Sequence, residues 1–200
     1  VINKLSTVVS KNIPLIAKMP ITIKASWNSA KRYYTSQFVK DIENWSSVCD
    51  KIYVWDYVIN YYHINAIYPT FHTFLPRMKF YLENNVKGIY YEGSSESGEF
   101  YELRAYLLAK LAWNPYMDEN EFNTHMLEFI YGYYGKGGKY IKEFIDYSAE
   151  YMKDMHFGIM SPLRFMFPSE EMNGRTVYSL EFFKKSRELF EKAKAASDSV

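Results

Sequence analysis

Phe38, Ile42, Trp45 and Cys49 recur at steps of four, three and four, which places all four on one face of a helix starting near Thr35. Lys51–Tyr57 follows, dense in β-branched and aromatic residues, and reads as a strand. Phe71, Leu75, Met78 and Leu82 then return to helical spacing, until Asn84 and Asn85 end the pattern. Val86–Tyr91 is a second strand, closed by Glu92-Gly93-Ser94-Ser95. Strand, helix, strand in one short stretch is a βαβ unit, with parallel strands and a right-handed crossover.

Downstream the pattern is helical throughout. Phe100, Leu103, Leu107 and Leu111 form a stripe that must stop near Asn114, because Pro115 follows. Asp118 with Glu121 three positions later resembles a capping box, with Asp in place of the usual Ser or Thr. The helix it opens runs to Gly135. Ile141, Phe144, Ile145, Ser148, Met152 and Met155 mark the next, and a last one spans about Ser179 to Ala196, after a Pro- and Phe-rich connection at 161–168. Upstream, Ile2, Leu5 and Val9 fit the end of a helix, Pro14 and Pro20 bracket short apolar pieces, and residues 21–26 alternate like a strand. A lone βαβ unit leaves sheet faces and edges uncovered, so further strands are expected from chain preceding Val1.

Charge and cysteine content narrow the function classes. Lys and Arg number 24 against 23 Asp and Glu, a net charge of +1 that offers no concentrated basic face for nucleic acid or an anionic membrane. Lys184, Lys185, Lys192 and Lys194 alternate with Glu188 and Glu191 as a solvated helix face. The single cysteine, Cys49, rules out an internal disulfide and a cysteine-based zinc site, and its place on an apolar stripe makes it a small core residue. No apolar run approaches the roughly 18 residues needed to cross a bilayer. The 20 tyrosines are the compositional outlier, and tyrosine suits both half-buried packing and contact with polar ligands.

Asp56 and Glu92 are the acids to weigh. Each lies at the C-terminal end of a predicted parallel strand, one βαβ repeat apart, where α/β barrels carry their catalytic groups. Two carboxylates facing one cleft suit glycoside hydrolysis, one as acid and one as base or nucleophile. The plainer alternative is that each acid caps a helix or pairs with a nearby Lys or Arg. Glu99 falls in the first turn of the next helix behind a Ser97 N-cap, a role the macrodipole favours, and Glu96 faces water. His63 and His72 have no acidic partner nearby and make a poor metal motif. Trp55 points to the face opposite Asp56 and belongs to the core if Asp56 looks into a barrel. Tyr61 and Tyr62 sit in the following loop, where stacking on sugar rings and packing under the helices compete.

The segments WDY ending at Tyr57, VKGIYYEG (86–93), ELRAYLLAKLAWNP (102–115) and EFIYGYYG (128–135) occur in this order. Over roughly Trp45 to Tyr147 they resemble the domain of unknown function 4838 family, grouped with TIM-barrel glycoside hydrolases. The LAWNP region is more loosely similar to the part of α-glucuronidases that follows their barrel. Residues 12–34 match the family poorly, and nothing is carried over there. The resemblance implies that the two strands are late barrel strands, the seventh and eighth. It also implies that Asp56 and Glu92 face a sugar as base or substrate-orienting groups, while the general acid comes from an earlier strand.

The expected architecture is therefore α/β: the C-terminal part of a (β/α)8 TIM barrel over residues 1–115, followed by an α-helical extension over 116–200. The expected activity is that of a glycoside hydrolase-like protein acting on complex polysaccharide or glycan, in a parent exported from the cytoplasm. The fragment alone would be inactive. Asp56 and Glu92 are the candidate catalytic residues, and Trp55, Tyr57, Tyr61 and His63 the candidate substrate contacts. No metal, cofactor, nucleic acid or membrane is expected. A non-catalytic carbohydrate-binding module and a helical interaction domain built on 99–200 are the alternatives.

Overall fold

In a computed structural model, the structure describes residues 15–18, 22–24, 33–60, 64, 66–93, 98–152, 156–158 and 178–197. The fold is mixed α/β and mostly helical, with a small parallel sheet. Strand β1 (Leu15–Lys18) pairs in parallel with β3 (Ile52–Tyr57), which pairs in parallel with β4 (Val86–Glu92), giving the order β1-β3-β4. Helices α1 (Tyr33–Ser46) and α2 (Phe74–Glu83) make the two crossovers, and α3 (Tyr101–Trp113) follows β4. Three consecutive strand–helix units result, where the sequence pattern predicts one βαβ. The extra strand lies within the chain, on the far side of β3. Its four residues are too few to show alternation; partnership with β3 defines it.

The segment predicted as a strand near 21–26 contains β2 (Thr22–Lys24). It does not join the parallel sheet, but pairs antiparallel with β5 (His156–Gly158). The expected helix at 1–11, the 161–168 connection, Met155 and the Ser97 cap lie outside the described residues.

The helices cover one face of the sheet. Phe38 and Ile42 of α1, Ile52 and Val54 of β3, Phe80 and Tyr81 of α2 and Val86 of β4 form one core cluster, with Cys49 buried among them. Alternation along β3 sends Tyr53, Trp55 and Tyr57 to the other face, where Tyr53 remains exposed. One register shift occurs beside Ile52, and Lys87 is the residue passed over.

Helix α2 differs from its predicted stripe. Phe71 lies in a short 3-10 turn, Phe71–Thr73, and the buried face runs Phe74, Arg77, Met78, Tyr81. Leu75 and Leu82 are only half-buried. A buried arginine on the core side rotates the stripe.

Helices α4 (Glu119–Tyr134), α5 (Gly138–Met152) and α6 (Leu180–Ser197) follow among the described residues. The Asp118 side chain accepts from the Glu121 amide at 2.8 Å, while the Glu121 carboxylate receives the Asn114 amide at 3.0 Å. Only half of the capping box thus forms. Asp118→Ala should destabilise the protein by about 0.5–2 kcal/mol in urea unfolding. Gly137 admits the end of α6, since a Cβ there would lie 2.7 Å from the Ala193 carbonyl oxygen. A second core cluster joins Met78, Leu103, Leu107 and Leu111 to Phe122, Ile130, Ile141 and Ala193, so the apolar interior runs unbroken across residue 115.

Candidate functional site

Register fixes the relation between the two candidate acids. Tyr57 pairs with Glu92 and Asp56 with Tyr91, so both acids sit at the C-terminal end of their strands. They nevertheless face opposite sides of the sheet, because neighbouring strand residues alternate. The expected pair of carboxylates in one cleft is not formed by these two residues.

Asp56 points into the helix layer and is fully buried. Arg77 of α2 donates from one guanidinium nitrogen to both carboxylate oxygens, at 2.9 and 2.8 Å, and from the other to Thr73 Oγ1 at 2.9 Å. The Tyr81 hydroxyl donates to Asp56 Oδ2 at 3.2 Å. Burial opposes the charge on Arg77, yet Asp56 beside it more than compensates and holds the guanidinium protonated. Burial likewise pushes Tyr81 and Tyr91 up, reinforced by Asp56. Asp56 takes the plainer alternative weighed for it: an acid matched to a nearby arginine, joining strand to crossover helix.

Glu92 lies on the open face with the aromatic residues. The Trp55 indole Nε1 donates to Glu92 Oε2. Trp55 and Tyr57 stack with ring centroids 6.4 Å apart, and Tyr90 of β4 meets Trp55 edge-on at 5.0 Å. Tyr90 is 61% exposed and Tyr53 41%, so the face ends in rings open to solvent. Gly88 makes the lower part possible: a Cβ there would lie 2.8 Å from the Tyr53 ring. Trp55, expected in the core if Asp56 looked into a barrel, is instead on the open side. Tyr61 and His63 lie outside the described residues.

The loops after β3 and β4 leave the sheet side by side. The Val58 amide donates to the Glu92 carbonyl at 3.1 Å. At their far ends stands a second buried arginine, Arg104 of α3. It donates to Thr70 Oγ1 at 2.7 Å, the Tyr68 carbonyl at 3.3 Å and Glu99 Oε2 at 2.7 Å. Glu99, expected in the first turn of the helix, instead precedes it, its side chain buried against its partner. Burial pushes its carboxyl up, against Arg104 and the Tyr68 amide, while burial pulls Arg104 down, against Glu99.

Among the described residues no three His, Cys, Asp or Glu side chains cluster as metal ligands, and no helix is long and apolar enough to cross a membrane. The arginines are what sequence reasoning missed. Their signal is a cation on an apolar stripe, Arg77 between Phe74 and Met78 and Arg104 between Leu103 and Leu107.

The model of one protein family, a domain of unknown function (DUF4838), matches residues 6–146. The chain belongs to the DUF4838 family. The match takes in all three strand–helix units of this DUF4838 chain, including residues 12–34, which looked poor from the motifs alone, and ends within α5. No curated protein and no solved structure matches the chain.

Proposed function

We propose that this DUF4838 chain supplies late strands of a (β/α)8 barrel in a glycoside hydrolase-like protein acting on complex polysaccharide or glycan, and that the open sheet face is its sugar-facing wall. Two features support the barrel. The strands are parallel in consecutive strand–helix units, and the described helices that pack on the sheet lie against one face, as in a barrel whose other sheet face turns inward. A doubly wound sheet would carry helices on both sides.

The observation that carries the sugar reading is the grouping of Trp55, Tyr57, Tyr90 and Glu92 at the C-terminal end of the strands. Flat apolar rings suit the C–H faces of a pyranose, and a carboxylate held at their edge accepts from its hydroxyls. Glu92 is the group assigned to orient substrate or act as base. Asp56, committed to Arg77, holds β3 in place instead.

A specific observation favours a second reading, a non-catalytic glycan-binding surface: Glu92 is the one acid on this face among the described residues. One experiment separates the two. The full-length protein is assayed for hydrolysis and binding of plant and bacterial polysaccharides, as wild type, Glu92→Gln and Trp55→Ala. In the enzyme, Glu92→Gln lowers turnover by about 100-fold or more while binding persists, a size typical of a lost acid or base. In the binding surface no variant turns over and Trp55→Ala weakens affinity by about tenfold, some 1.4 kcal/mol. Binding and hydrolysis that are both unchanged in both variants would remove this face from the function.

A further inference from the structure

Glu92 is held from across the sheet. Trp55 pairs with Tyr90 and Tyr57 with Glu92, so Trp55 and Glu92 are diagonal neighbours on the open face, within reach of a long aromatic side chain. The Trp55 indole Nε1 donates to Glu92 Oε2 along that diagonal. The indole itself is held on two sides. Tyr57 stacks with it at 6.4 Å between centroids, and Tyr90 meets it edge-on at 5.0 Å. All four side chains leave regular strand positions of β3 and β4, so the arrangement rests on the sheet ladder. Glu92 is half-buried, and no second partner holds its carboxylate among the described residues.

We propose that Trp55 is a positioning residue for Glu92: its N–H fixes the carboxylate so that Oε1 is the oxygen presented to the sugar. This rests on the sugar-facing assignment made above. An indole N–H only donates, so Oε2 is committed to accepting, and a proton or hydroxyl that Glu92 takes from a ligand is met at Oε1. A glutamate without that tie turns among several staggered rotamers, and each turn moves the reacting oxygen. Misplacing such a group by about 1 Å is enough to cost up to 100-fold in rate. Trp55 therefore has two separable parts. Its ring belongs to the apolar wall, and its N–H aims Glu92. Phenylalanine keeps a ring between Tyr57 and Tyr90 without the N–H, so one substitution takes the two parts apart.

The test is a double-mutant cycle in the full-length protein with Trp55→Phe, Glu92→Ala and the two together, read in two ways. The first needs no ligand. In the NMR spectrum of the labelled indole N–H groups, Trp55 is assigned by its loss in Trp55→Phe, and the remaining resonances report that each variant is folded. Glu92→Ala should move the Trp55 resonance upfield and leave those of the other tryptophans in place. The second uses the same plant and bacterial polysaccharides. Trp55→Phe should lower kcat about tenfold with KM within about twofold, and should lower it by less than about twofold where Glu92 is already Ala. On a face that binds without turnover, affinity follows the same pattern, with about a fivefold loss from Trp55→Phe only when Glu92 is present. An indole resonance unmoved by Glu92→Ala would overturn the contact and the proposal with it. A moved resonance with equal losses from Trp55→Phe in both backgrounds makes the contact structural and overturns the positioning role, leaving the sugar assignment intact. A wild type that neither hydrolyses nor binds any polysaccharide, while the resonance still moves, sinks the sugar assignment on which the role rests and leaves only the contact.

Discussion

Asp56→Ala is expected to destabilise the protein by about 3–5 kcal/mol, because it strands a buried guanidinium without its counter-ion. Arg77 is buried and directs two of its contacts at this one carboxylate, and the Tyr81 hydroxyl loses its acceptor as well. Urea unfolding should show a lowered midpoint with an unchanged slope. Asp56→Leu combined with Arg77→Met should recover most of the loss, since a buried ion pair replaced by apolar residues of similar volume is often neutral or better. A double variant as unstable as the sum of its single changes would show that the two groups are not coupled. An acid serving a sugar cleft predicts the reverse, near-normal stability on removal with loss of turnover. The variant therefore separates a strut from a catalytic group.

The same residue shows how far sequence reading reaches here. Strand and helix periods are local, so β3, β4 and the helices from α3 onward are legible from spacing within ten or twenty positions. Alternation also establishes that Trp55 and Asp56 face opposite ways. Which of the two faces the helices is a tertiary fact, decided by Arg77 on the next helix. An acid between aromatic residues looks like a site because a carboxylate is rarely buried, and it is buried here because a matched arginine comes with it. Starting the α2 stripe at Phe74 instead of Phe71 brings Arg77 onto the core face and makes the pairing visible. Strand β1 was out of reach for another reason: a four-residue segment between prolines carries too little pattern. Glu99 was misplaced because first-turn acids are common on helix N-termini, whereas Phe100, in the left-handed region at φ 50°, starts the helix later and leaves Glu99 turned inward.

Phe182→Ala is the other change expected to cost about 3–5 kcal/mol, the usual range for emptying a buried phenylalanine site. Phe182 is fully buried on α6, between the rings of Tyr147 and Tyr151 at 5.3 and 4.6 Å and that of Tyr178 at 5.3 Å. The same cluster reaches Ile67, whose carbonyl accepts from the Tyr178 hydroxyl at 2.6 Å. Helix α6 lies beyond the stretch matched by the family, yet it braces the segment that leads into Tyr68 and Thr70. A domain of this size loses about 2–4 °C in Tm for each kcal/mol. Heating should therefore show one transition, lowered by roughly 6–20 °C and coincident for helix content and aromatic signals. Leu180→Ala and Phe183→Ala, exposed on the same helix at 63% and 53%, should stay within about 0.5 kcal/mol of wild type. Two separate transitions in the Phe182 variant, with only the smaller one shifted, would make α6 an appendage. A single lowered transition means that the helical extension and the strand–helix units fold as one body.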